Sequence, residues 1–120
     1  MTILHVEDCE SIRELFAALL GAEYTVIGAE TLDDAIPIIE AGVDLVLCDG
    51  VFPLRVHRPA GPHWREVVAA AWEQATPVIV ISGDGWIVEE AQARNVVAVR
   101  KPVAMEDLQT LVRLALRRAA

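Results

Sequence analysis

The sequence is poor in several residue types, and each shortage excludes something. It has only two cysteines, Cys9 and Cys48, with no CxxC spacing. No disulfide framework or thiolate metal site is expected, and both thiols read as reduced and structural. Aromatic residues make up only 5% of the chain, so a core has to come mainly from aliphatic side chains. Lysine and arginine number 10 against 18 aspartates and glutamates. The resulting net charge of −8 repels a phosphate backbone, which argues against direct nucleic-acid binding. No apolar run approaches the roughly 20 residues of a membrane-spanning helix. The opening MTILHVEDCE lacks the basic flank and long apolar stretch of a secretory signal. A cytoplasmic protein without membrane contact is the expectation, and no internal repeat or low-complexity segment interrupts it.

What is present fits one packed domain spanning residues 1–120, with 54% hydrophobic and 23% charged residues. Five short, β-branched apolar runs recur at 3–6, 24–29, 44–49, 77–82 and 96–99. Most are apolar at successive positions, the pattern of parallel strands covered on both faces. Helical spacing lies between them. Ile12, Leu15, Phe16, Leu19 and Leu20 form one stripe, closed by Gly21. Val67, Val68, Ala71 and Trp72 form another within 63–75. Met105, Leu108, Leu111, Val112 and Ala115 form the last, which ends in Arg117 and Arg118. A further helix is expected after Thr31 as N-cap, kinked or delayed by Pro37. Strand and helix therefore alternate five times, which predicts an α/β, doubly wound five-stranded parallel sheet with five helices. Right-handed crossovers bring every strand's C-terminal end to one edge, where such sheets bind ligands. The longest irregular stretch expected is 50–62, which leaves directly from that edge.

Polar groups arrive at the same edge from four strands. Glu7 and Asp8 close the first, Asp49 the third, Ser82 the fourth, and Lys101 with Pro102 the fifth. Three neighbouring carboxylates repel one another unless a cation neutralises them. A hard, oxygen-liganded ion such as Mg²⁺ meets that need through carboxylates, waters and a phosphate oxygen. Taken singly, Glu7, Asp8 and Asp49 read more commonly as solvent-facing caps and Ser82 as a turn residue; it is their joint placement, with Lys101, that favours a site. His5, inside a strand, reads as a packed histidine, and His57 and His63 as solvated loop residues. Trp64, Trp72 and Trp86 read as shields of apolar surface, with Trp86 near enough to the site to report on it.

In the order ILHVED, DLVLCD followed by GVFP, VIVIS and VRKP, the chain resembles the receiver domains of bacterial two-component response regulators over essentially its whole length. The resemblance implies a flavodoxin-like fold and phosphorylation of Asp49 by a partner histidine kinase or phosphotransfer protein. It implies Mg²⁺ held by Asp8 directly, by Glu7 through water, by Asp49 and by the backbone carbonyl of Val51. Ser82 would donate to a phosphoryl oxygen and Lys101 would pair with another, with Pro102 turning the chain through a cis peptide. The implied output is contact with a downstream protein target or fused effector, and homodimerisation stays open. Such a protein is not an enzyme beyond slow loss of its own phosphoryl group.

Three departures from the family pattern stand out. Ala98 replaces a usually aromatic residue three positions before the lysine. The helix between Ser82 and Lys101 is expected to be short, roughly 88–94. The segment after Asp49 carries the basic, proline-containing LRVHRPAGPH. A degenerate receiver acting as a constitutive binding or dimerisation module is the alternative. A metal-dependent phosphatase is weaker, because no second general acid is placed to protonate a leaving group.

Overall fold

Five strands pair in one parallel sheet: β1 (Thr2–Val6), β2 (Thr25–Ala29), β3 (Leu45–Asp49), β6 (Val78–Ser82) and β7 (Val97–Arg100), in the spatial order β2-β1-β3-β6-β7. This computed structural model describes residues 1–119, with side chains described through Arg117; Arg118, expected as a second cation at the last helix's end, has its side chain outside that range. Between the strands run α1 (Glu10–Leu20), α2 (Leu32–Ala41), α3 (Trp64–Glu73), α4 (Gly85–Ala93) and α5 (Met105–Ala119). This is the doubly wound arrangement that the alternation predicts, in the flavodoxin-like form that the resemblance implies.

The central strands show why their sequences are apolar at successive positions. Val46, Cys48, Val78 and Val80 face a core shared with α2, α3 and α4, whereas Leu45, Leu47, Ile79 and Ile81 face a second core under α1 and α5. With both faces buried, a polar side chain in the middle of the sheet is costly, and His5 on β1, whose Nδ1 has no partner, is the exception. The register brings the C-terminal ends level, pairing Val6 with Ala29, Val6 with Cys48, Asp49 with Ile81 and Ser82 with Arg100.

Several local expectations need correction. Leu15 is 50% exposed and Trp72 53% exposed, although both fit an apolar helical stripe. The sheet needs only one narrow face of each helix, supplied by Phe16 and Leu20 in α1 and by Val67, Val68 and Ala71 in α3. Gly21 ends α1 in a right-handed conformation, and its glycine is explained by space, since a Cβ there would collide with the Ala17 carbonyl. Thr31 caps α2 as expected, its hydroxyl accepting from the Asp34 N–H at 3.1 Å. Pro37 lies inside α2 without delaying its start.

The stretch 50–62 is more ordered than its composition suggests. It forms a small antiparallel pair, β4 (Phe52–Pro53) with β5 (Ala60–Gly61), rooted by the fully buried Phe52. The Asp33 N–H donates to the Leu54 carbonyl at 3.0 Å, and Arg55 pairs with the Asp33 carboxylate at 3.2 Å, tying this hairpin to the start of α2. The α4 helix begins at Gly85, three residues before the expected start. Among the described residues, no helix is long and apolar enough to cross a membrane.

Candidate functional site

The site forms where backbone pairing runs one residue past the strand ends. The Glu7 N–H donates to the Ala29 carbonyl at 2.9 Å, and the Lys101 N–H to the Ser82 carbonyl at 2.9 Å, so both residues are placed by the sheet and not by free loops. The Lys101–Pro102 peptide is cis. Arg13, from α1, donates to the Glu7 carbonyl at 2.7 Å and anchors the turn that carries Asp8. Asp49 is the last residue of β3, in the middle of the sheet.

These placements bring Glu7, Asp8 and Asp49 together, with one carboxylate oxygen from each lying within 4.8 Å of the others. Lys101 leans over the group, its Nζ 3.3 Å from Asp49 Oδ1 and 3.6 Å from Glu7 Oε1. The Gly50 N–H also donates to Asp49 Oδ1, at 2.7 Å. One oxygen of Asp49 is therefore held by two donors. Ser82 ends the neighbouring strand and is almost wholly buried. Its hydroxyl accepts from the Asp84 N–H at 3.1 Å and packs so closely on Gly50 that a Cβ at Gly50 would lie 2.6 Å from it. Val51 sits between Asp49 and β4, partly buried.

The electrostatics follow from crowding. Glu7 is 2% exposed, and burial, followed by hydrogen bonding to and repulsion from Asp49, pushes its pKa up to about 8. Burial works against the charge on Lys101, but Asp49 and Glu7 outweigh it and raise its pKa. Both shifts run in the direction of a carboxylate cluster short of positive charge. All three ligand candidates are carboxylates, one buried, one half-buried and one exposed. Such a set suits a hard divalent ion that keeps several waters.

Other candidates lie apart from this cluster. His5 is a packed residue, stacked on Phe16 with ring centroids 4.2 Å apart, and burial together with Lys101 and Arg13 lowers its pKa to about 4. Burial likewise pushes the Cys48 thiol well up, so it is inert, whereas Cys9 is exposed. His63 is paired to Glu66 at 2.8 Å at the start of α3, and His57 is exposed on the hairpin. Trp64 is a fully buried core residue, and Trp86, the second residue of α4, is 51% exposed. Two features escape a reading of the sequence. Gly50 is needed for close approach to Ser82. Arg65 and Glu90 form a two-pronged pair at 2.6 and 2.7 Å across 25 residues, for which no local signal exists.

No family model and no curated protein matches the sequence. Solved structures do. The signal receiver domain of a LuxO repressor protein from Vibrio parahaemolyticus is 26% identical, covers 98% of this chain and 91% of its own, and superposes with a TM-score of 0.81. The receiver domain of the hybrid histidine kinase CckA is 27% identical over 97% of this chain and 99% of its own, with a TM-score of 0.71. The beryllofluoride-activated NtrC4 receiver domain, a dimer, is 23% identical over 99% and 98%, with a TM-score of 0.81. The fold of this chain is that of the response regulator receiver domains.

Proposed function

We propose that this chain is a phosphoacceptor receiver of a two-component signalling system, taking a phosphoryl group onto Asp49 from a phosphohistidine on a partner kinase or phosphotransfer protein. The observation that carries the reading is the meeting of three carboxylates and one lysine, from three strand ends, at the edge where a doubly wound sheet binds ligands. Mg²⁺ is the cation that this carboxylate set fits, with Asp8 and Asp49 as direct ligands, Glu7 acting through water and the Val51 carbonyl completing the set. When bound, the ion offsets charge on the transferring group and on its acceptor.

The chain's own residues do the rest. Asp49 Oδ1 is restrained by Gly50 and Lys101, which leaves Oδ2 as the oxygen that attacks phosphorus. An O–P bond forms, the donor's P–N bond breaks, and the imidazole leaves with the electron pair. Lys101 then pairs with one phosphoryl oxygen as a point charge, and Ser82 donates its hydroxyl proton to another. Val51 has no polar side chain to orient a hydrolytic water, so loss of the phosphoryl group is slow. The protein acts in the cytoplasm by contact with a downstream protein or fused effector, and not by turnover of a substrate.

Mixing the protein with Mg²⁺ and acetyl phosphate and weighing it intact tests this. One added phosphate on the wild type and none on Asp49→Ala supports it. An unmodified mass under all conditions favours the second reading, a constitutive binding module, which the presence of Ala98 in place of a ring keeps in view. Steady release of inorganic phosphate from many substrates favours a phosphatase.

A further inference from the structure

Charge is unevenly distributed along this acidic chain. Residues 1–49 hold eleven aspartates and glutamates against one arginine, Arg13, and no lysine, whereas residues 50–65 hold three arginines, two histidines and no acid. Two of those five basic residues are committed elsewhere. Arg65 is taken up by Glu90 at 2.6 and 2.7 Å and lies against the Trp64 and Trp86 rings, and His63 is paired to Glu66. What remains is the tip of the hairpin, Arg55 to Arg58, exposed at every position.

That tip is a formed turn. The Arg58 N–H donates to the Arg55 carbonyl at 3.1 Å, closing four residues whose end Cα atoms come within about 7 Å of each other. Its base is fixed by the buried Phe52 and by the Asp33 N–H on the Leu54 carbonyl. His57, third in the turn, has a φ of 68°, a left-handed conformation that glycine or asparagine adopts more readily. Two arginines side by side also repel. Backbone strain and uncompensated charge thus coincide at one place, a combination that stability alone does not favour. Little within the molecule relieves it. Arg55 has one contact, to Asp33 at 3.2 Å, and with both side chains more than half exposed that pair exchanges readily with another carboxylate. Among the described residues, Arg58 has no ion-pair partner. Val56, between them, is 55% exposed.

A ligand that compensates this surface brings carboxylates to the two arginines and an apolar group to Val56. A uniform polyanion such as a nucleic acid fits it less well, because the chain's net charge of −8 repels every phosphate that extends beyond the turn. A short acidic segment with an apolar side chain needs only the turn itself. We propose that the Arg55–Arg58 turn docks an acidic, partly apolar segment of a partner protein, each arginine taking a carboxylate and Val56 taking the apolar side chain. The hairpin holds the turn in place beforehand, so little ordering entropy opposes docking. Docking needs no phosphate on Asp49, and its failure is therefore separate from that of the phosphoacceptor reading.

The test follows the fluorescence anisotropy of a labelled synthetic peptide, in which pairs of glutamates alternate with single leucines, titrated with the 120-residue protein at about 50 mM salt. Wild type should bind it, and Arg55→Gln combined with Arg58→Gln should weaken binding at least about tenfold. Arg113→Gln combined with Arg117→Gln removes the same charge from exposed positions of α5 and should change binding by less than about twofold. His57→Gly should weaken binding about threefold while Tm stays at or above the wild-type value, a split that a merely structural histidine would not give. Equal loss in the α5 variant would mark diffuse attraction and overturn the proposal, as would a wild-type protein that does not bind the peptide. A His57→Gly protein with lower Tm and full affinity would overturn the place of His57 in the docking element. A labelled single-stranded oligonucleotide bound as tightly as the peptide would overturn the choice of an acidic protein as partner.

Discussion

Lys101 reaches Asp49 Oδ1 at 3.3 Å across 52 residues of sequence, and the same ammonium stands 3.6 Å from the buried Glu7 carboxylate. One flexible cation thus neutralises two of the three carboxylates that a divalent ion would use. A divalent ion bound there would compete with the lysine for the same negative charge.

Lys101→Met should therefore separate metal binding from phosphoryl acceptance. Removing the competing ammonium should tighten Mg²⁺ binding about tenfold, equivalent to ~1.4 kcal/mol, while phosphorylation by acetyl phosphate slows by at least about tenfold. Calorimetry and intact mass measure the two. Weaker metal binding in the variant would show that the lysine organises the carboxylates instead of competing for them.

A bound divalent ion should stabilise the fold through Asp8 and its neighbours. At about 100 times its dissociation constant, Mg²⁺ should add ~2.7 kcal/mol and raise Tm by about 10 °C. In Asp8→Asn most of that rise should vanish. A wild-type Tm that ignores Mg²⁺ would leave the carboxylates without the proposed ion.

His5 predicts a particular acid sensitivity. Its pKa falls from 6.5 to about 4 on folding, so between those values the unfolded chain binds more protons than the native one. The stability this provides is complete above pH 6.5 and is lost as pH falls through 4, in total about 3 kcal/mol. Urea unfolding of wild type and His5→Leu at a series of pH values measures it, and the variant's curve should be flatter across that window. Parallel curves would sink the assignment.

Gly50→Ala should damage both stability and site. The new Cβ would lie 2.6 Å from Ser82 Oγ and 2.9 Å from Ile87 Cδ1, atoms that core packing holds in place. A loss of about 1–3 kcal/mol is expected. Because Ser82 Cβ is itself 2.9 Å away, a second change of Ser82→Gly should restore more of it than Ser82→Ala. Equal rescue by both would locate the strain elsewhere.

Much of the architecture was legible because a parallel sheet buried on both faces writes itself as unbroken apolar runs. The runs ending at Val6, Asp49 and Ser82 could be read directly, and the polar residues that follow them had to share an edge. Glu7, Asp8, Asp49, Ser82 and Lys101 were candidates for that reason, and the structure brings the three carboxylates and Lys101 together, with Ser82 on the adjoining strand against Gly50. The order inside 50–62 was hidden, because its two-residue strands are held by Phe52 in the core and by Asp33 on α2, not by any periodic pattern.

The sequence by itself determined the five strands of the main sheet, the helices between them and which carboxylates could meet, since strand periodicity and chain direction together leave one edge for them. Only the tertiary structure decided which side of each helix is used, leaving Leu15 and Trp72 in water, and how Arg65 finds Glu90 between two tryptophans. Periodicity records whether a residue's own element has an apolar face. Distances between residues far apart in the chain depend on how every element packs at once.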